Sequence, residues 1–344
     1  MKAQVLTKPR PVEEGPLQLM ERPAPEPGPG EVLIRVRGCG VCHTDLHVVE
    51  GEIPLPRLPI VPGHQVVGVV ERTGPAREET APGRTPGPAP RFAPGARVGV
   101  AWLHKTCGAC PFCCAGSENL CDQARFTGYH ADGGFAEFLT APQEFVYPLP
   151  PAFDDVAAAP LLCAGIIGYR ALRLSGAGPG ERLALFGFGA SAHITLQIAV
   201  SRGCEVFVFT RSEAHRRLAR ELGAAWAGAA GETAPALADR AILFAPAGRL
   251  VPEALRALRK AGTLAIAVIH LDRVPEFDYR LLFDERTVRS VTASTRQDGD
   301  ELLRAAAEAR VRIETETFPF GEANRALALL KAGRIRGAGV LVHR

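Results

Sequence analysis

The stretch Arg182-Leu-Ala-Leu-Phe-Gly-Phe-Gly-Ala-Ser-Ala192 decides the fold. Its first half is an apolar run that reads as a buried strand. Gly187-Phe-Gly189-Ala-Ser-Ala192 follows, and an apolar run to Ser201 reads as a helix from Ala192. G-x-G-x-x-A between strand and helix is the context a dinucleotide-binding turn requires. The glycines permit a tight turn and close backbone approach, and the helix N-terminus faces a pyrophosphate.

Downstream, strands and helices alternate: strand Glu205–Phe209, helix Glu213–Leu222, strand Ala241–Ala245, helix Val251–Lys260, strand Thr263–Ile269. That order predicts an α/β Rossmann domain with a doubly wound parallel sheet over residues 151–285. Thr210-Arg211-Ser212 ends the second strand, where an NAD-binding turn places Asp or Glu on the ribose 2′-hydroxyl. A carboxylate would repel a 2′-phosphate, whereas Arg211 with the hydroxyls of Thr210 and Ser212 would bind it. NADP(H) is therefore expected over NAD(H), and Arg216 and Arg217 read as helix-surface charge. The tail holds strand Thr287–Val291, helix Asp298–Ala309, strand Arg312–Thr317, helix Glu322–Ala332 and strand Gly339–Val342, which pattern alone does not place.

Upstream, the chemistry changes from phosphate to metal. Residues 31–37 alternate like a half-buried strand and Val66–Glu71 is β-rich, with loop residues between. Gly38-Cys-Gly-Val-Cys42-His-Thr44-Asp-Leu-His47 holds a thiolate ligand, a hydroxyl that can pass a proton and an imidazole that can carry it near neutral pH. His64 and Cys163, the latter in an Asp-initiated helical run from Pro151 to Leu174, complete a shell with Cys42. Two Cys and one His with an open fourth position form a catalytic zinc set. Cys107-x2-Cys110-x2-Cys113-x7-Cys121 offers four thiolates, a closed structural site. Four Cys can also hold an iron–sulfur cluster; the neighbouring Cys/His set favours zinc. Cys114 is out of step and free. Cys39 and Cys204 read as core residues, and His104, His130, His193, His215, His270 and His343 lack partner spacing. Thr73–Pro94 reads as a surface loop.

The bulk numbers agree with a two-domain globular protein. There are 344 residues, 47% hydrophobic and 22% charged. A net charge of +3 without a dense basic block gives no case for nucleic acid. The start lacks an apolar signal core, and Leu183–Val200, the most apolar stretch, is too interrupted for a membrane span. Nine Cys without a signal peptide favour metal ligands over disulfides, with the cytoplasm as compartment. Lysine occurs only at positions 2, 8, 105, 260 and 331; heat adaptation and GC-rich coding bias both account for that.

Together, Gly40-Val-Cys42-His-Thr44-Asp45-Leu-His47, Gly63-His64, the four-Cys lobe, Cys163 and the glycine turn resemble the zinc-containing alcohol dehydrogenases of the medium-chain dehydrogenase/reductase superfamily. The resemblance implies a GroES-like β-barrel catalytic domain from residues 1–150 and 286–344, including a structural zinc lobe at 107–121, with the Rossmann domain inserted. It implies two zincs per chain and a homodimer or homotetramer. Thr44 and His47 match the proton relay, Asp45 the carboxylate that orients His64, and His43 and Arg336 positions that contact the cofactor pyrophosphate. The implied reaction is reversible oxidation of an alcohol to an aldehyde or ketone. Zinc favours loss of the hydroxyl proton, Thr44 and His47 carry it outward, and hydride passes to the nicotinamide. Two rivals are a zinc-free quinone or enone reductase of the same superfamily and a non-catalytic zinc-binding module.

Two departures from the family pattern stand out. Gln65 replaces the Glu that follows the ligand His in many members, removing a negative charge behind the metal. Val49 and Ile53 stand where some members carry tryptophans, and Trp102 is retained as a pocket residue. A roomier pocket for larger or aromatic alcohols is expected.

Overall fold

The computed structural model describes residues 1–76 and 91–343. Of the expected loop Thr73–Pro94, residues 77–90 lie outside the described residues. The chain divides into two compact units, Met1–Cys163 with Thr295–Leu303 and Ile313–Arg344, and Ala164–Ser294 with Arg304–Arg312.

The first unit is built on strand Glu31–Val41. One edge pairs antiparallel with Gln65–Thr73. The other pairs with Phe138–Pro142 through its first half and with Ala338–Val342 through its second. Thr315–Pro319, Arg97–Val100 and Val146–Pro148 complete a seven-stranded sheet. Ile34, Val66, Val98, Val100, Phe135, Leu139 and Val146 are fully buried in its core. Alternation marked the strand only to Arg37, yet it runs to Val41. Gly38 and Gly40 break the apolar pattern, but pairing from both sides overrides their weak strand preference. At Gly40 a Cβ would lie 2.9 Å from the Gln65 side chain, so glycine is needed there. The extension delivers Cys42 directly off the strand end.

The second unit is a six-stranded, all-parallel sheet in the order Trp226–Gly228, Glu205–Phe209, Arg182–Phe186, Ala238–Leu243, Leu258–Ile266, Thr287–Ser290. Numbered along the chain this is 3-2-1-4-5-6, the order of dinucleotide-binding sheets. Phe186 and Phe209 stack on adjacent strands with ring centroids 4.4 Å apart.

Several expectations are corrected. Thr287–Ser290 hydrogen-bonds to Leu258–Ile266 as the sixth strand, so the sheet extends past the expected boundary at 285/286. At the other boundary, helix Asp155–Pro160 packs on Glu31–Val41 and Gln65–Thr73, so the first unit extends to Cys163 rather than 150. Trp226–Gly228 was not foreseen, since three residues cannot display a period. The expected helix to Lys260 stops at Ala257, and the next strand starts at Leu258. Helical Asp155–Ser175 is long and apolar enough to cross a membrane, but 67% of its apolar window is buried inside the protein, as in a core helix.

Candidate active site

Cys42 directly follows the strand Glu31–Val41 and caps the helix His43–Glu50. Its Sγ accepts the Thr44 N–H at 3.3 Å. Asp45, three residues on, returns its Oδ2 to the Cys42 N–H at 3.0 Å, which completes a reciprocal cap. Asp45 Oδ1 also accepts the Gly63 N–H at 3.1 Å and faces His64 Nδ1 at 2.9 Å. Both residues are buried. This pairing leaves His64 Nε2 to point at Cys42 Sγ, 3.3 Å away.

Cys163 arrives from another element. Asp154 caps helix Asp155–Pro160 by accepting the Ala157 N–H at 2.7 Å. Pro160 lacks an N–H and its ring crowds the carbonyl four residues back. Directly after it, Leu161–Gly165 forms a π-helical turn before the α-helix resumes at Ile166. Cys163 sits in that wide turn, its Sγ 4.0 Å from Cys42 Sγ.

Cys42 Sγ, His64 Nε2 and Cys163 Sγ all lie within 4.8 Å of one another. A tetrahedral zinc with bonds of about 2.3 Å to sulfur and about 2.0 Å to nitrogen separates its ligands by roughly 3.5–3.8 Å. The separations of Cys42 Sγ from His64 Nε2 and from Cys163 Sγ, 3.3 and 4.0 Å, bracket that range, so the side chains fit the ion. Among the side chains themselves, the bond from Cys163 holds the Cys42 thiol well below its ordinary range, aided by His64 and Thr44. The same bond pushes Cys163 up. Burial works against charge on His64, but Asp45 and the Cys42 thiolate outweigh it and hold the imidazole well above its usual value.

Cys107, Cys110, Cys113 and Cys121 form the second cluster, also with ligand atoms within 4.8 Å of one another. The Ala109 and Cys110 N–H groups donate to Cys107 Sγ, and the Cys107 N–H donates to Cys121 Sγ. The two backbone donors bring the Cys107 thiol down to about 6. Cys114 points away and its Sγ faces the Ala109 carbonyl. All nine cysteines are free thiols.

Thr44 is buried, and His47 lies one turn later on the same helix face. His47 Nδ1 is paired with Glu52, a residue sequence reasoning passed over. His43 is exposed at the first helical position. Val49 does not border open space: it is fully buried in the core. Two residues beyond His47 is about 200° around a helix, so Val49 faces the opposite side. Ile53 is half-buried against the same core. The Trp102 ring stands edge-on to His64 with centroids 5.0 Å apart. Phe126 stacks on Trp102 at 4.9 Å and Tyr129 leans on it at 5.8 Å. These two aromatics were not legible in sequence, because they stand beyond the four-Cys lobe and meet Trp102 only through the strand pair Leu103–Lys105 and Arg125–Phe126. Gln65 is buried against Gly40.

In the second unit, Gly187 has φ +94°, and a Cβ there would meet the Ala245 backbone at 2.9 Å. Gly189 caps helix Ala190–Ser201, and no atom of the described residues lies within 4 Å of where its Cβ would be. That space, in front of unpaired helix N–H groups, fits a pyrophosphate. Ala192 is fully buried and lets the helix pack closely. Thr210 is buried at the end of strand Glu205–Phe209, and Arg211 is exposed and engaged by no carboxylate among the described residues. Ser212 caps helix Glu213–Glu221 by accepting the His215 N–H at 3.4 Å. Arg216 folds back onto the Thr210 carbonyl at 3.2 Å and pairs with Glu213, so it stands closer to this strand end than a surface charge would. Arg336, in the first unit, is 87% exposed, with its guanidinium 3.8 Å from Glu314.

A family model for the alcohol dehydrogenase GroES-like domain matches residues 28–151, and one for zinc-binding dehydrogenases matches residues 192–308. Probable alcohol dehydrogenase AdhA of Mycobacterium tuberculosis is 49% identical over 343 residues, covering 99% of this chain and 97% of the relative. Among solved structures, a cinnamyl alcohol dehydrogenase of Sorghum bicolor superposes with TM-score 0.87 at 27% identity, covering 99% of this chain and 97% of its own. A cobalt- and zinc-bound thermostable alcohol dehydrogenase of Pyrobaculum aerophilum superposes with TM-score 0.86 at 25% identity, covering 100% and 99%. Sequence, fold and ligand geometry converge: the chain belongs to the zinc-containing alcohol dehydrogenases of the medium-chain dehydrogenase/reductase superfamily.

Proposed function

We propose that the enzyme oxidises bulky or aromatic primary and secondary alcohols reversibly with NADP+, using one zinc at Cys42, His64 and Cys163 and a second at Cys107, Cys110, Cys113 and Cys121. The observation that carries this is the meeting of two thiols and an imidazole from three distant segments, with Asp45 behind the imidazole and Trp102 beside it. Bound zinc supplies a Lewis acid that favours loss of the alcohol proton, and NADP+ supplies the hydride acceptor. Thr44 takes the hydroxyl proton and His47 passes it outward. Asp45 holds the His64 tautomer that leaves Nε2 free to ligate. The Gly187–Ala192 turn of the second unit binds the pyrophosphate.

Preference for NADP(H) rests on Thr210, Arg211 and Ser212, a strand end without a carboxylate of its own. Comparing kcat/KM for NADP+ and NAD+ tests it; parity or a lead for NAD+ would overturn it. Preference for aryl alcohols rests on the half-buried Trp102, Phe126 and Tyr129 group next to His64. Benzyl alcohol should exceed ethanol in kcat/KM, and the reverse order would refute the aromatic pocket. Gln65 leaves the metal more electrophilic than a Glu would, so Gln65→Glu should move the kcat pH profile; an unmoved profile counts against that role.

A homodimer or homotetramer accords with the outermost parallel strand, Thr287–Ser290, which is exposed at all four residues; Tyr279 and Phe283, just before it in the chain, are exposed as well. Such an edge is a template for pairing with a second copy. Nine free thiols accord with a reducing cytoplasm.

A further inference from the structure

Helix His43–Glu50 ends in a way that places one side chain on another. Gly51 adopts φ +74°, and a Cβ there would lie 2.8 Å from Pro9. The Gly51 N–H bonds to the Val48 carbonyl at 3.3 Å and the Glu52 N–H to the His47 carbonyl at 3.0 Å. This pair of bonds is a Schellman closure, which folds residue 52 back over residue 47. The two side chains that meet in such a closure are commonly apolar. Here they are an imidazole and a carboxylate, paired through His47 Nδ1 and Glu52 Oε2. Among the described residues Glu52 forms no other ion pair, whereas the neighbouring Glu50 pairs with Lys331 at 2.8 Å. The His47 side chain is 20% exposed and Glu52 is 54% exposed, so the pair runs from the interior to water.

We propose that Glu52 is a positioning residue for the proton path. The proposal rests on the reading that Thr44 and His47 carry the alcohol proton. With its Nδ1–H donated to Glu52, the imidazole presents Nε2 as the acceptor, and the ring cannot turn without losing a charge-assisted bond. During oxidation the hydroxyl proton arrives at Nε2, and the Nδ1 proton leaves to the Glu52 carboxylate and then to water. The two electrons of the substrate C–H bond leave with the hydride to NADP+, so alcohol and NADP+ give carbonyl, NADPH and one released proton. The backbone closure holds residue 52 over residue 47, which keeps the carboxylate within reach of the ring.

The test uses the holoenzyme with benzyl alcohol and NADP+, comparing the parent with Glu52→Gln and Glu52→Asp. Glu52→Gln should lower kcat about tenfold with KM within about twofold and an unchanged Tm, and added imidazole should restore much of kcat. Glu52→Asp, which keeps the charge, should retain more activity than Glu52→Gln. Independently of turnover, ring-nitrogen NMR should show His47 protonated at Nδ1 in the parent and a mixed tautomer in Glu52→Gln. A Glu52→Gln enzyme with the parent's kcat and the parent's tautomer would overturn the proposal and leave the dehydrogenase reading standing. A kcat loss that imidazole does not relieve would also overturn it. A parent that oxidises no alcohol would remove the reading and the proposal together.

Discussion

One carboxylate organises much of the metal-binding geometry. Asp45 accepts from the Cys42 N–H, the Gly63 N–H and the His64 ring, and so ties the strand end, the loop before His64 and the imidazole together. Removing it leaves buried donors without a partner, at about 1–3 kcal/mol each. Asp45→Ala should therefore weaken zinc binding at Cys42, His64 and Cys163 about 10- to 100-fold, while the four-Cys lobe keeps its ion. Elemental analysis over a graded chelator series checks this; parallel loss from both sites would contradict it. Asp45 was legible because it sits in the motif around Cys42. Glu52 was not, since its partner appears only once Gly51 has turned the chain back. Val49 was misplaced for a similar reason: a motif gives an order along the chain, while the helix turns alternate residues to opposite faces.

At the level of elements, the helical segment from Asp155 to Ser175 shows how a local fault becomes a site. Its middle is a π-helical turn that follows Pro160 and contains Cys163. A π turn sets the following residues out of phase with the preceding α-helix. Pro160→Ala restores an N–H that can bond four residues back, which favours regular α-helix through Leu161–Gly165. The variant is expected to hold or raise Tm while losing zinc from the Cys42, His64 and Cys163 shell. Calorimetry with metal analysis tests this pair of outcomes, and unchanged zinc retention would show that proline does not set the turn. The helical run and its Asp start were readable from sequence; the π turn was not, because no residue pattern distinguishes it from the α-helix around it.

For the molecule as a whole, stability in acid should depend on a histidine outside the reaction. His104 is buried, with Nδ1 lacking a hydrogen-bond partner among the described residues. Burial, then Arg125, Lys105 and His130, brings it down to about 4. In the unfolded chain the ring titrates near its ordinary value of about 6.5. Its folded value is depressed, so between those limits the unfolded state binds more protons. The neutral ring's contribution is complete above the upper limit and is lost as pH falls toward the lower one. The loss by pH 4.5 should be about 2–3 kcal/mol for the unit that holds it. His104→Leu should flatten that part of the curve, which urea titrations at pH 7 and pH 4.5 measure; equal slopes for parent and variant would exclude His104 as the cause.

By itself, the sequence determined the α/β class, the order of the strands and helices around Gly187, and the two sets of Cys and His side chains that the fold brings together. Those features rest on short-range spacing and residue chemistry, which survive without coordinates. The tertiary structure alone decided that Thr287–Ser290 closes the parallel sheet, that Phe126 and Tyr129 join Trp102 beside His64, and that Glu52 meets His47. Each of these depends on where a turn or a strand pairing returns the chain. A turn's direction is set by backbone dihedrals and by the surface it packs on, and neither is written in the period of the residues.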